Sequence, residues 1–274
     1  MYNIFYRVLA VNSGDTGCGL GDNPDPMLMF KDGADMIISR EFVSGRGEKE
    51  RELPFKQTAL QKYLTYTDSD KEILGLTTST VHIPTYGDTL QLATTLLLPG
   101  LPVIYYGTEI DVNRERVIMP MPWGFNGKRF SATINYSIFR NYLNNYNNKN
   151  VVESELAEGN DKSVLRLVQK LVALRQNPSI KWGTIEQINI DQESVSHAEA
   201  FARKARGFPT FIVILVKYFK EDYFSDLTSV CSSITPNVIY PSHPQLLVDN
   251  ALSTSKIFIP KLIYSSYILV FECN

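Results

Sequence analysis

The sequence predicts an α/β fold: the carboxyl-terminal half of a (β/α)8 barrel, followed by a small antiparallel β-sandwich. Three observations carry this. Residues 73–130 read strand, loop, helix, tight turn, strand, long loop, the order of a βαβ unit whose parallel strands need a crossover helix. Upstream, residues 6–11 and 35–39 are two further apolar strands. Beyond Asn177 the helical spacing stops, and several β-rich runs follow with no helix between them.

Taken in order, the strand at 6–11 runs into the turn-rich Asn12-Ser13-Gly14-Asp15-Thr16-Gly17. Asp22 and Asp25 lack the glycine and distal glutamate of a calcium loop and read as turn chemistry. Residues 35–39 form the second strand, and residues 56–63 have helical spacing, with Leu60 and Leu64 four apart. Residues 73–76 are the third strand. The helix around 90–98 places Leu90, Ala93 and Leu97 on one face, and Pro99 and Pro102 frame a sharp turn into the fourth strand at 103–106. Four strands with intervening helices are half of an eight-stranded barrel, and half a barrel leaves two open edges. The expectation is therefore part of a barrel over 1–177, truncated at its amino end. The asparagine-rich 141–150 reads as an exposed, partly ordered loop. The strongest helical pattern spans 161–175, capped by Asn160 or Asp161, with Leu167, Leu171 and Leu174 on one face and Pro178 as its stop. Strands at 184–190, 198–203, 210–218, 255–259 and 263–271 make an all-β domain over 178–274.

Composition narrows the function classes. The 274 residues are 44% hydrophobic and 20% charged, enough to build a core. A net charge of −2 gives no electrostatic footprint for nucleic acid or an anionic membrane surface. The longest apolar runs, at 211–216 and 267–271, fall far short of the roughly 20 residues of a membrane span. Arg7 inside the first apolar stretch, with no basic leader, makes a poor signal peptide. Cys18, Cys231 and Cys273 are too few and scattered for a disulfide scaffold or zinc site, and a Cys231–Cys273 pair stays open. His82, His197 and His243 have no helical partner, so neither a metal site nor a cofactor is expected. Asn135-Tyr136-Ser137 is the one N-glycosylation sequon, since Asn177 precedes Pro178.

Two motifs carry a resemblance. Leu98-Pro99-Gly100-Leu101-Pro102-Val103-Ile104-Tyr105-Tyr106-Gly107-Thr108-Glu109-Ile110 resembles the eighth-strand motif of the α-amylase clan. Met119-Pro120-Met121-Pro122-Trp123, followed by residues 127–131, resembles that clan's next loop. The resemblance implies the amylase-like barrel, with strands five to eight within 1–177 and the earlier strands upstream of Met1, and the carboxyl-terminal β-domain. It also implies a site in which one carboxylate is nucleophile and another general acid, around an oxocarbenium-like transition state. Aligned on Gly87-Asp88, the sugar-orienting Asn-His-Asp motif falls on Leu76, Thr77 and Thr78, and the acid glutamate falls near Asn12. Neither Asn12 nor Thr78 carries a proton that titrates near a working pH.

From those two positions the expectation is a chain that is not an enzyme, with no catalytic or substrate-binding residue. An amylase-like barrel with Thr77-Thr78-Ser79-Thr80 in place of the motif resembles the heavy chains of heteromeric amino-acid transporters. That resemblance implies a light-chain transporter as partner, the extracellular face of the plasma membrane, and a membrane anchor upstream. An α-glucosidase or α-amylase-type glycoside hydrolase is the alternative. Trp123 and the Tyr105–Tyr106 pair read as barrel packing, and Glu109 and Asp111 as holders of loop backbone.

Overall fold

The computed structural model describes residues 10–13, 36–39, 74–77, 89–111, 121, 151–188, 198–219, 223–225, 227–242, 252–253, 257–259 and 262–274. The helix expected at 56–63, the loop at 141–150, and Cys18, Thr78, Trp123 and Asn135 lie outside them.

Strands β1 (Ala10–Ser13), β2 (Met36–Ser39), β3 (Leu74–Thr77) and β4 (Leu101–Val103) form a four-stranded parallel sheet in chain order. A row of the ladder runs Ser13, Ser39, Leu76, Pro102. Parallel strands in sequence order are what repeated βα units produce, and all four carboxyl ends share one edge of the sheet.

Helix α1 (Thr89–Leu97) crosses from β3 to β4. It is buried on more than one face, through Leu90, Leu92, Ala93, Leu96 and Leu97, because the parallel sheet and the carboxyl-terminal sheet both pack against it. Its two buried threonines donate to their own helix, Thr94 to the Leu90 carbonyl at 2.8 Å and Thr95 to the Gln91 carbonyl at 2.9 Å.

Helix α2 (Val164–Leu174) buries Val164, Leu167, Val168, Leu171 and Leu174. Its cap is Ser163, whose Oγ accepts from the Arg166 N–H, rather than Asn160 or Asp161. Asn160 instead takes the Lys162 N–H, tightening the turn before the helix. Nor does Pro178 stop α2, which ends earlier with Arg175 as its C-cap. Pro178 opens a short helix, α3 (Pro178–Lys181), under an Asn177 cap, the first-turn place where a proline loses no hydrogen bond.

The carboxyl-terminal sheet has six antiparallel strands: β5 (Thr184–Ile188), β6 (Ala198–Lys204), β7 (Thr210–Phe219), β9 (Ser233–Tyr240), β10 (Leu252–Ser253) and β12 (Leu262–Cys273). Their order is β10-β9-β12-β7-β6-β5. A two-stranded pair, β8 (Tyr223–Ser225) with β11 (Ile257–Ile259), completes the layer opposite the helices. The central strands are apolar on both faces. Phe211, Val213, Leu215, Ile268 and Val270 join the α1 and α2 side chains in one cluster. Ile212, Ile214, Val216, Leu269 and Phe271 join Ile257 and Cys231 in another. Double-sided burial explains why 211–216 reads as an unbroken apolar run. Cys231 and Cys273 form a disulfide, with their Cα atoms 5.7 Å apart.

Candidate active site

The site is built on the carboxyl end of β4, where the polypeptide leaves the parallel sheet. Gly107 turns the chain with φ of 84°, a conformation that side chains with a Cβ rarely adopt. A single turn follows, Thr108–Ile110, closed by Thr108 N–H to the Tyr105 carbonyl (3.0 Å) and Asp111 N–H to the Thr108 carbonyl (3.0 Å). Ile110 is fully buried and pins the turn. Asp111, at φ of 51°, is the one non-glycine residue with positive φ among the described residues. The rings of Tyr105 and Tyr106 lie 4.7 Å apart, tilted by 45°.

Glu109 sits inside this turn. Its Oε2 is buried and has no hydrogen-bond partner among the described residues. That atom does not hold loop backbone, contrary to the role expected for it. A buried carboxylate oxygen lacking a donor costs about 1–3 kcal/mol.

Residues of three other elements brace the sheet: Arg175 at the amino end of β4, and Glu155 and Tyr240 on the side of the β4 loop. Arg175, at the end of α2, donates from Nη1 to the Leu96 and Leu98 carbonyls, 2.7 Å each, and from Nη2 to the Gly100 carbonyl. One guanidinium thus satisfies the orphan carbonyls at the end of α1 and orients the entry to β4. Glu155, 3% exposed, accepts from Ser163 Oγ (2.9 Å) and the Leu165 N–H (3.1 Å), placing its charge at the amino end of α2. Tyr240, at the end of β9, donates to the Lys162 carbonyl at 2.9 Å. Burial pushes its phenol well above the ordinary value, the charges of Asp111, Glu155 and Asp161 add to this, and a Thr89 hydrogen bond opposes it. Tyr240 therefore stays a neutral donor. The β4 loop, the start of α2 and the end of β9 meet around it.

Of the positions singled out in the sequence, Asn12 lies on β1, paired with Ile38 and through it with Gly75. Thr77 ends β3 and pairs with Val103. Thr78 and Asn135 fall outside the described residues. The ladder thus sets Asn12 in the row of Gly75, three positions before Thr78. Sequence reasoning missed Arg175, Glu155 and Tyr240, whose partners are backbone atoms or charges remote in sequence. Only the basic residue at a helix end hinted at any of them.

The chain is similar to an α-amylase from H. orenii at 20% identity, covering 90% of this chain and 50% of that one, with a TM-score of 0.58. The fold is α-amylase-like. Further similarities are to a Nostoc punctiforme debranching enzyme (15% identity, 95% and 56% covered, TM-score 0.47) and a putative α-amylase from Salmonella typhimurium (14%, 74% and 35%, 0.38). The chain spans about half the length of the first two. No family model matches the sequence, and no curated protein does.

The first of these corrects the expectation that the chain is not an enzyme: the solved structure whose architecture it shares at a TM-score of 0.58 is named as an α-amylase. The physical reason lies in how barrels carry chemistry. Catalytic groups come from the ends of several strands and the loops after them, so two positions aligned by motif do not decide the matter.

Proposed function

We propose that the protein acts on α-linked glucans as a glycoside hydrolase of the amylase type. The observation that carries this is the amylase-like fold, shared over 90% of the chain with an α-amylase. The ordered turn at the carboxyl end of β4 stands where barrel enzymes gather their sites. Hydrolysis needs two carboxylates flanking the scissile bond, one to protonate the leaving oxygen and one to attack or to activate water. The segments that follow β1 and β2 in sequence carry Asp15, Asp22, Asp25 and Glu41, and the pair is sought there.

The test is turnover of maltoheptaose and a nitrophenyl α-maltoside by the full chain. Absence of both turnover and binding for every α-glucan tried would sink the reading.

A second reading, the extracellular partner of a light-chain amino-acid transporter at the plasma membrane, draws on the Thr77–Thr80 sequence. The Cys231–Cys273 bridge suits the oxidising compartment it requires. Co-precipitation of a transporter with the tagged chain, together with a mass shift on removing a glycan from Asn135, tests it. Neither result appearing would dismiss it.

A further inference from the structure

Trp182 is 64% exposed, more than any other large apolar side chain among the described residues, and Phe208 is 50% exposed. They belong to one corner of the carboxyl-terminal sheet. Trp182 follows α3 and stands two residues before Thr184, which pairs with Lys204; Phe208 lies in the turn that joins β6 to β7.

This corner is firmly tied. Ser179 Oγ donates to the Pro209 carbonyl at 2.5 Å, the fully buried Arg203 donates to the Ile180 carbonyl, and the Trp182 N–H donates to the Pro178 carbonyl at 2.8 Å. Gly183 presses so closely on the Ser179 and Lys204 carbonyls that a Cβ would overlap both. The rings are therefore exposed on a rigid backbone. Lys181 Nζ stands 4.7 Å from the Trp182 ring centroid, backing one face. Beside it, the exposed Lys204–Glu186 ion pair bridges β6 and β5 and supplies hydrogen-bonding groups at the rim.

We infer that this corner is a surface binding site for α-glucan chains, remote in the fold from the β4 loop, with Trp182 as the stacking platform and Phe208 as a second contact. An aromatic side chain offers about 150–250 Å², so two partly exposed rings present a few hundred Å². That area suits two or three sugar rings, whose apolar C–H faces pack on aromatic rings while their hydroxyls meet charged side chains at the edge. The choice of glucan over other sugars rests on the activity proposed above.

The test is retardation of the full chain in a native gel containing soluble starch, with tryptophan fluorescence of the wild type and of Trp182→Phe titrated by maltoheptaose. Trp182→Ala should weaken binding at least about tenfold and Phe208→Ala less, while hydrolysis of a short nitrophenyl maltoside stays at the wild-type rate. Trp182→Phe should recover part of the binding, which excludes loss of folding as the cause. Trp182→Ala migrating like wild type would overturn the proposal. So would a self-association that Trp182→Ala abolishes with no starch binding. A wild type that hydrolyses maltoheptaose without being retarded overturns the surface site and spares the enzyme reading. Binding that depends on Trp182, with no hydrolysis, does the reverse.

Discussion

Glu199 shows how one residue sets a pH dependence. On β6 it alternates with Phe201 and Arg203, which places it on the helix-facing side of the sheet, opposite Leu215. Burial raises its carboxyl from an ordinary 4.5 to about 7. The native state therefore holds a proton between those values that the unfolded chain has lost. Stability from this group is complete below about pH 4.5, falls as pH rises toward 7, and is flat above, the difference amounting to about 3 kcal/mol. Glu199→Gln should raise Tm at pH 8 and leave it nearly unchanged at pH 4.5. Equal shifts at both values would show that burial is not what holds the proton. Nothing in the sequence marked Glu199, because a strand charge reads as solvated until the layer covering it is known.

Among the elements, the joint between α1, β4 and α2 depends on Arg175. Arg175→Ala strands three carbonyls at the end of α1 and the start of β4, which should cost about 3 kcal/mol in urea denaturation and lower activity with it. Lysine at the same place, a single point charge, should recover only part. If alanine costs no more than about 0.5 kcal/mol, solvent satisfies those carbonyls and the joint is not what holds the entry to β4. The disulfide acts on the other end of the sheet. It closes a separation of 42 residues, for which loop-closure entropy gives about 4 kcal/mol, so a reductant should lower the unfolding midpoint and Cys231→Ser should match it.

The elements also show what the sequence could and could not reveal. The parallel strands, α1 and the long apolar strands were legible because periodicity survives burial on one or both faces. Strand β9 was not, since Pro236 argues against a strand. The fold admits it through a shift in register between Val270 and Phe271, which pair with Val238 and Pro236 and leave Asn237 out of the ladder. The motif after β4 pointed to the right end of the sheet, but the groups that hold it come from α2 and β9, about 50 to 130 residues away in sequence. No local pattern encodes such contacts.

At the scale of the whole molecule, the helices of the amino-terminal part and the carboxyl-terminal sheet share a core. Leu167 and Leu171 from α2 cluster with Phe201, Phe211 and Val270 from the sheet, across the boundary that the sequence places at 177. Removing either layer would expose a broad apolar face, at about 25 cal/mol per Å², so partial unfolding of either side should be poorly populated. We propose that the two sides unfold together. Leu167→Ala on the helix and Phe201→Ala on the sheet should each lower the same thermal transition, by an amount corresponding to about 3 kcal/mol. Far-UV dichroism and tryptophan fluorescence should then give coincident midpoints in both variants. Two separated transitions, each sensitive to only one substitution, would instead show that 1–177 and 178–274 are independent folding units. In that case the contact between them would be a docking interface, and Tyr240 would position the β4 loop only while the sheet stays docked.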